Sequence, residues 1–146
     1  MIASPYRPGD FVWTAYPEQE NPARPGPRHI GYVALAAGDE HGPVLFVAYT
    51  SSQPWRGARP PGIYVFDQPG AAAMGQGRAF TLDLRRMAAL PLLSEWFPEL
   101  DRPGHGIVGR APDRLRVEFE AAAIELFRLR PETIERLGPG WPGGRR

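Results

Sequence analysis

Arg28 and the run Thr50-Ser51-Ser52-Gln53 are the residues whose types and order can do chemistry together. A guanidinium is a rigid fork of donors that matches a phosphate, and an alcohol can orient another oxygen or stabilise charge that develops on it. Arginine stays protonated at any physiological pH, so Arg28 is assigned to electrostatic stabilisation and the proton acceptor is left open. His29 follows directly and titrates near neutrality, which makes it a candidate acid or base; its plainer role is a surface histidine bonded to a backbone carbonyl. Trp55 stands just beyond the hydroxyls in a loop of Pro, Arg and Gly, with Arg56 and Arg59 beside it. That is either a base-stacking platform flanked by phosphate-binding cations or an aromatic ring lying on the fold. Gln53 and Arg24 complete the candidate substrate contacts.

Strand ends have to bring these side chains together. Phe11 to Tyr16 is rich in β-formers and reads as a first strand after the turn chemistry of Tyr6 to Asp10. Pro17 to Pro27 has too little apolar content for a core and reads as a mobile loop. His29 to Leu35 and Val44 to Tyr49 predict an antiparallel hairpin. Gln53 to Pro61 is rich in turn residues, Ile63 to Phe66 is a short apolar run within an irregular crossing, and Ala79 to Leu93 predicts one bent strand or two. A helical turn at Ser94 to Phe97 and a loop over Pro98 to Gly109 precede the clearest helix, which starts at Pro112 and carries a stripe of Leu115, Phe119, Ala122, Ala123, Leu126 and Phe127. Pro131 to Leu137 predicts another helical turn.

The chain has 146 residues, a size suited to one core. A mainly β (α+β) domain is expected over 1–137, a barrel closing the sheet's edges with the helix packed on it, and 138–146 reads as a Gly, Pro and Arg tail that frays. No apolar run approaches a membrane span and no signal-peptide pattern opens the chain, so a cytoplasmic protein with no membrane contact is expected. With no cysteine and three scattered histidines, no metal site or cofactor is expected. A net charge of +1 is too small to mark a nucleic-acid binder by itself, although all 17 basic residues are arginine.

Three short motifs stand in order: Pro8-Gly9-Asp10 opening the first strand, Pro27-Arg28-His29 before the second, and Thr50-Ser51-Ser52-Gln53 leaving the third. In this the chain resembles the PemK/MazF family of toxin–antitoxin ribonucleases, whose members carry a Pro-Gly-Asp strand opening, an Arg-Pro before the second strand and a Thr-Ser after the third. The resemblance is best over Tyr6 to Gln53; Leu82 to Leu90 and the helix from Pro112 look like the family's later strands and C-terminal helix. It implies a small SH3-like barrel that acts as a homodimer and cuts single-stranded RNA without metal. The ribose 2′-hydroxyl attacks the adjacent phosphate to leave a 2′,3′-cyclic phosphate, and an antitoxin protein covers the groove in resting cells. By position Arg28 matches the family arginine and Ser51 the catalytic threonine, with Thr50 as the competing register and Ser52 beside them. The chain departs from the pattern at His29, where the family has proline, and at Ser51. Arg24-Pro25 is a literal Arg-Pro placed too early, inside the loop.

Among the remaining residues, Asp10 reads as a turn acceptor, Trp13 as core in preference to a base-stacking ring, and Arg85 and Arg86 as solvated charges at a strand edge that a dimer groove could use. The alternative to a nuclease is a non-catalytic barrel that binds a target, since a related toxin branch with the same fold acts on DNA gyrase by binding alone.

Overall fold

The structure is a computed structural model and describes residues 4–142. Seven strands form one sheet: β1 (Asp10–Ala15), β2 (Arg28–Asp39), β3 (Gly42–Ser51), β4 (Ile63–Phe66), β5 (Phe80–Pro91), β6 (Ile107–Arg110) and β7 (Glu135–Leu137). Six lie in the order β4-β5-β3-β2-β1-β6, all antiparallel, while β7 runs parallel to β5 off that path. A short helix α1 (Gln68–Ala72) follows β4, and the long helix α2 (Asp113–Leu129) follows β6. No helix among the described residues is long and apolar enough to cross a membrane.

Successive residues of a strand point to opposite faces, and here both faces are covered. Phe11, Tyr32 and Ala48 join Leu82, Met87 and the α2 side chains Phe119 and Leu126 on one side. Their neighbours Val12, Val33 and Val47 join Leu45, Trp96 and Phe97 on the other. This is why β1 reads as a nearly continuous apolar run and not as a clean alternation. Helix α2 has the expected stripe, with Phe119, Ala123 and Leu126 buried and Asp113 and Arg128 at the termini where their charges suit the helix dipole. Complete burial of a side chain like Phe119 contributes about 2–3 kcal/mol.

Several segments differ from the sequence-based expectation. Ile63–Phe66 is a true strand against β5, and its exit is shaped by Asp67, whose carboxylate accepts the Gly70 N–H at 2.9 Å to start α1. Ile107–Arg110, expected as loop, pairs with β1; Glu135–Leu137, expected as helical, pairs with β5 after a 3-10 turn at Pro131–Thr133. Strands of three or four residues have no period of their own to read. From Gly138 to Trp141 the chain is anchored, not frayed: the Gly138 N–H donates to the Pro22 carbonyl (2.8 Å) and the Gly140 N–H to that of Ala89 (2.9 Å). Trp141 lies edge-on to Phe46 at 5.2 Å and Phe127 at 5.9 Å. Residues 143–146 of the expected tail lie outside the described residues.

Strand β5 is bent by a register shift. Ala48 pairs with Met87, but the next residue, Tyr49, pairs with Asp83, so Leu84, Arg85 and Arg86 have no partner on β3. Such a bulge re-aims the side chains it carries.

Candidate functional site

The register of β1, β2 and β3 sets Arg28 and His29 opposite Ala15 and Thr14 at one end of the sheet, and Gly31 opposite Tyr49. A Cβ on Gly31 would stand 2.3 Å from Val47 Cγ1, so glycine is what lets β2 and β3 meet this closely. The Thr14 hydroxyl donates to the His29 carbonyl at 2.9 Å, which pins the start of β2 to β1.

The predicted hydroxyl cluster divides into different environments. Thr50 is buried and its Oγ1 donates to the Ile30 carbonyl at 2.6 Å, so its hydroxyl proton is already committed. Ser51 Oγ accepts the Gln53 N–H at 3.0 Å and keeps its own proton to give. Ser52 is exposed. Arg28 lines a cavity of about 370 Å³ together with Thr50, Ser51 and Ser52, yet its guanidinium bonds none of them. It is held instead by the Glu99 carboxylate and lies over the Trp13 ring, 4.6 Å from its centre. Trp13, expected in the core, thus lines the cavity beneath Arg28.

His29 contacts the Thr50 backbone carbonyl through Nε2 at 2.5 Å. A carbonyl can only accept, so Nε2 carries the proton and Nδ1 holds the lone pair. Burial lowers the His29 pKa below its ordinary 6.5, the Arg86 charge lowers it further, and the bond to Thr50 opposes both. The imidazole is therefore neutral at physiological pH, with an acceptor nitrogen.

Arg86, expected as a solvated edge charge, is the clearest correction and a site residue that sequence reasoning missed. The β5 bulge turns it inward, where its Cζ stands 3.9 Å from the centre of the Tyr49 ring and 5.8 Å from that of Tyr16. His29 stacks against Tyr49 at 4.7 Å and 2°. The buried Tyr16 hydroxyl donates to the Arg86 carbonyl at 2.8 Å, and burial holds its pKa well above the usual phenol value, so it stays a donor. The signal in the sequence was weak: tyrosines at the ends of two strands and an arginine pair within a third.

Three cavities meet here. One of about 440 Å³ contains Ser51, Gln53, Trp55, Asp83, Arg85 and Arg86, and one of about 300 Å³ contains Tyr16, Arg28, His29, Tyr49 and Arg86. The first shares Gln19, Tyr49 and Arg86 with the second and Ser51 with the 370 Å³ cavity, and the last two share Arg28 and His29. Trp55 has its Nε1 tied to the Ala58 carbonyl at 3.0 Å and Arg85 at 5.4 Å from its ring centre. Arg24 and Arg56 are exposed and line none of the three, so they do not join the cluster. Asp10 is buried in the turn, accepting the Arg7 N–H at 2.9 Å and Arg110 Nη1 at 2.5 Å. Among the described residues no group of three or more His, Cys, Asp or Glu is placed to hold a metal ion. Aromatic faces, guanidinium groups and an acceptor imidazole line these adjoining cavities and can stack planar groups, pair with anions and take up a proton. Compared with known proteins, the chain matches no family model and no curated protein.

Proposed function

We propose that the protein is a toxin of the PemK/MazF type, a small SH3-like barrel that cleaves single-stranded RNA by attack of a 2′-hydroxyl. The observation that carries this reading is His29: neutral, with Nε2 tied to Thr50, in the cavity that also holds Arg28 and Ser51. The 2′-hydroxyl proton passes to Nδ1, the 2′ oxygen bonds to phosphorus, and the bond to the 5′ oxygen breaks, that oxygen taking a proton from solvent. The product is a 2′,3′-cyclic phosphate. Ser51 donates to a non-bridging oxygen, and Arg28, whose side of the ion pair is exposed while Glu99 is half-buried, supplies charge once a phosphate displaces Glu99. The Pro8-Gly9-Asp10 turn supports the family assignment, because Gly9 takes a φ of 106° there and the Asp10 carboxylate closes the turn. On this reading an antitoxin covers the groove, and a second copy covers Val117, Ile124 and Leu129, which α2 leaves exposed.

A second reading, a barrel that binds without cutting, is favoured by the Glu99 pairing of Arg28 and the committed Thr50 hydroxyl. One experiment separates them. Purified protein is incubated with a long single-stranded RNA and EDTA beside Arg28→Ala and His29→Gln versions. Discrete fragments with cyclic phosphate ends from the wild type, and few from the variants, support the nuclease. Intact RNA in every lane, with RNA binding retained, leaves the binding module.

A further inference from the structure

We infer that Arg86 is the anchor for a phosphate group of the bound strand, and that Glu135 is a resident carboxylate which that phosphate displaces. Arg86 lines both the 440 Å³ and the 300 Å³ cavities. Its guanidinium lies mostly out of solvent against two tyrosine rings, and no described group accepts a hydrogen bond from it. Nε is fully buried and unbonded. Among the described residues, the one carboxylate oxygen within ion-pair range is Glu135 Oε1 at 3.5 Å, outside hydrogen-bonding geometry. Removing an arginine from water without giving it acceptors is costly, and a protein that keeps one beside a cleft holds donors ready for an anion.

Glu135 is a poor permanent partner for a second reason. Both its oxygens already accept from Gln19 Nε2, at 2.9 and 2.7 Å, across an exposed gap between the β1–β2 loop and β7. The neighbouring charges do not serve Arg86 either: Asp83 pairs with Arg85 at 3.3 Å, and Glu18 and Glu20 line only the smaller cavity. Glu135 thus occupies the place of a phosphate with worse geometry and a competing commitment. The anion belongs to the larger cavity, where the Trp55 face and the Gln53 amide offer a seat for an adjoining base. Free phosphate has no use for that seat. The inference rests on the nuclease reading only for the identity of the strand.

The test is binding of a short fluorescent 2′-O-methyl RNA, which lacks the attacking hydroxyl, measured by anisotropy over a range of salt. Loss of a charge-assisted contact in Arg86→Met weakens binding about tenfold or more, and makes the salt dependence shallower by about 0.7 in log–log slope. Glu135→Gln, which keeps an acceptor for Gln19 but removes the competing charge, tightens binding several-fold. Because the two effects are opposite, general destabilisation cannot imitate them, and the second variant decides the matter if the first fails to fold. Unchanged affinity and slope in folded Arg86→Met, or weaker binding by Glu135→Gln, overturns the inference. Inorganic phosphate that displaces the oligonucleotide at equal concentration overturns the assignment to a strand. Cleavage of unmodified RNA is scored in parallel: no cleavage with Arg86-dependent binding sinks the nuclease alone, and normal cleavage with Arg86-independent binding sinks this inference alone.

Discussion

Thr50 and Ser51 are adjacent alcohols that the structure puts to different uses, and exchanging each for an isostere separates the two. Thr50→Val keeps the branched shape at a buried strand position, so no cavity opens. It deletes the donor 2.6 Å from the Ile30 carbonyl. The net value of such a bond is about 1 kcal/mol. For a chain of this length that lowers Tm by about 3 °C. The contact from His29 survives, because it is made to the Thr50 backbone. Ser51→Ala removes a half-buried hydroxyl that accepts the Gln53 N–H, so its stability cost is below about 1 kcal/mol. If Ser51 donates to the phosphate, cleavage falls by about 10- to 100-fold. Urea melts give the stabilities, and initial rates of RNA cleavage at a temperature where both variants are fully folded give the activities. The reasoning is refuted if folded Thr50→Val is the inactive protein and Ser51→Ala cuts like wild type.

Further expectations test other parts of the structure. The folded-state pKa of His29 lies below its ordinary 6.5, so its contribution to stability is present above that pH and is lost as pH falls toward the folded value; His29→Gln flattens this stretch of a stability-against-pH curve, and an unchanged curve counts against the buried neutral imidazole. Asp10→Ala strips Arg110 of its partner and the Arg7 N–H of its acceptor, costing about 2 kcal/mol after allowance for the partial exposure of Arg110, to be read from denaturant midpoints at constant m-value. Trp141→Ala uncovers Phe46 and Phe127 and costs about 2 kcal/mol; a tail that frays would show no change in Tm.

The parts legible in the sequence are those with a period of their own. β1, β2, β3 and α2 are long enough for apolar residues to recur, and their ends carry Arg28, His29 and Ser51, which do come to border one cavity. β6 and β7 are strands only because β1 and β5 offer them edges, a tertiary fact that four residues after one glycine and interrupted by another, or three residues after a turn, cannot announce. The bulge at Leu84 to Arg86 is invisible for the same reason: it is a mismatch of register between two strands, and neither alone contains it. With the bulge unseen, Arg86 reads as an edge charge. Glu99, the counter-ion of Arg28, comes from a turn far along the chain that has no periodic signature. Trp141 was hidden by the Gly and Pro around it, although a large aromatic in such a segment is itself a reason to expect docking.

Because β7 joins the sheet beside β5, Thr133 and Glu135 form one wall of the 440 Å³ cavity while the remaining lining comes from the first two thirds of the chain. During synthesis that wall is still inside the ribosome after the earlier strands have emerged. Since chains order themselves as they are made, a polypeptide interrupted before β7 carries an incomplete cleft, and the cavity gains its last wall only once that strand has been added.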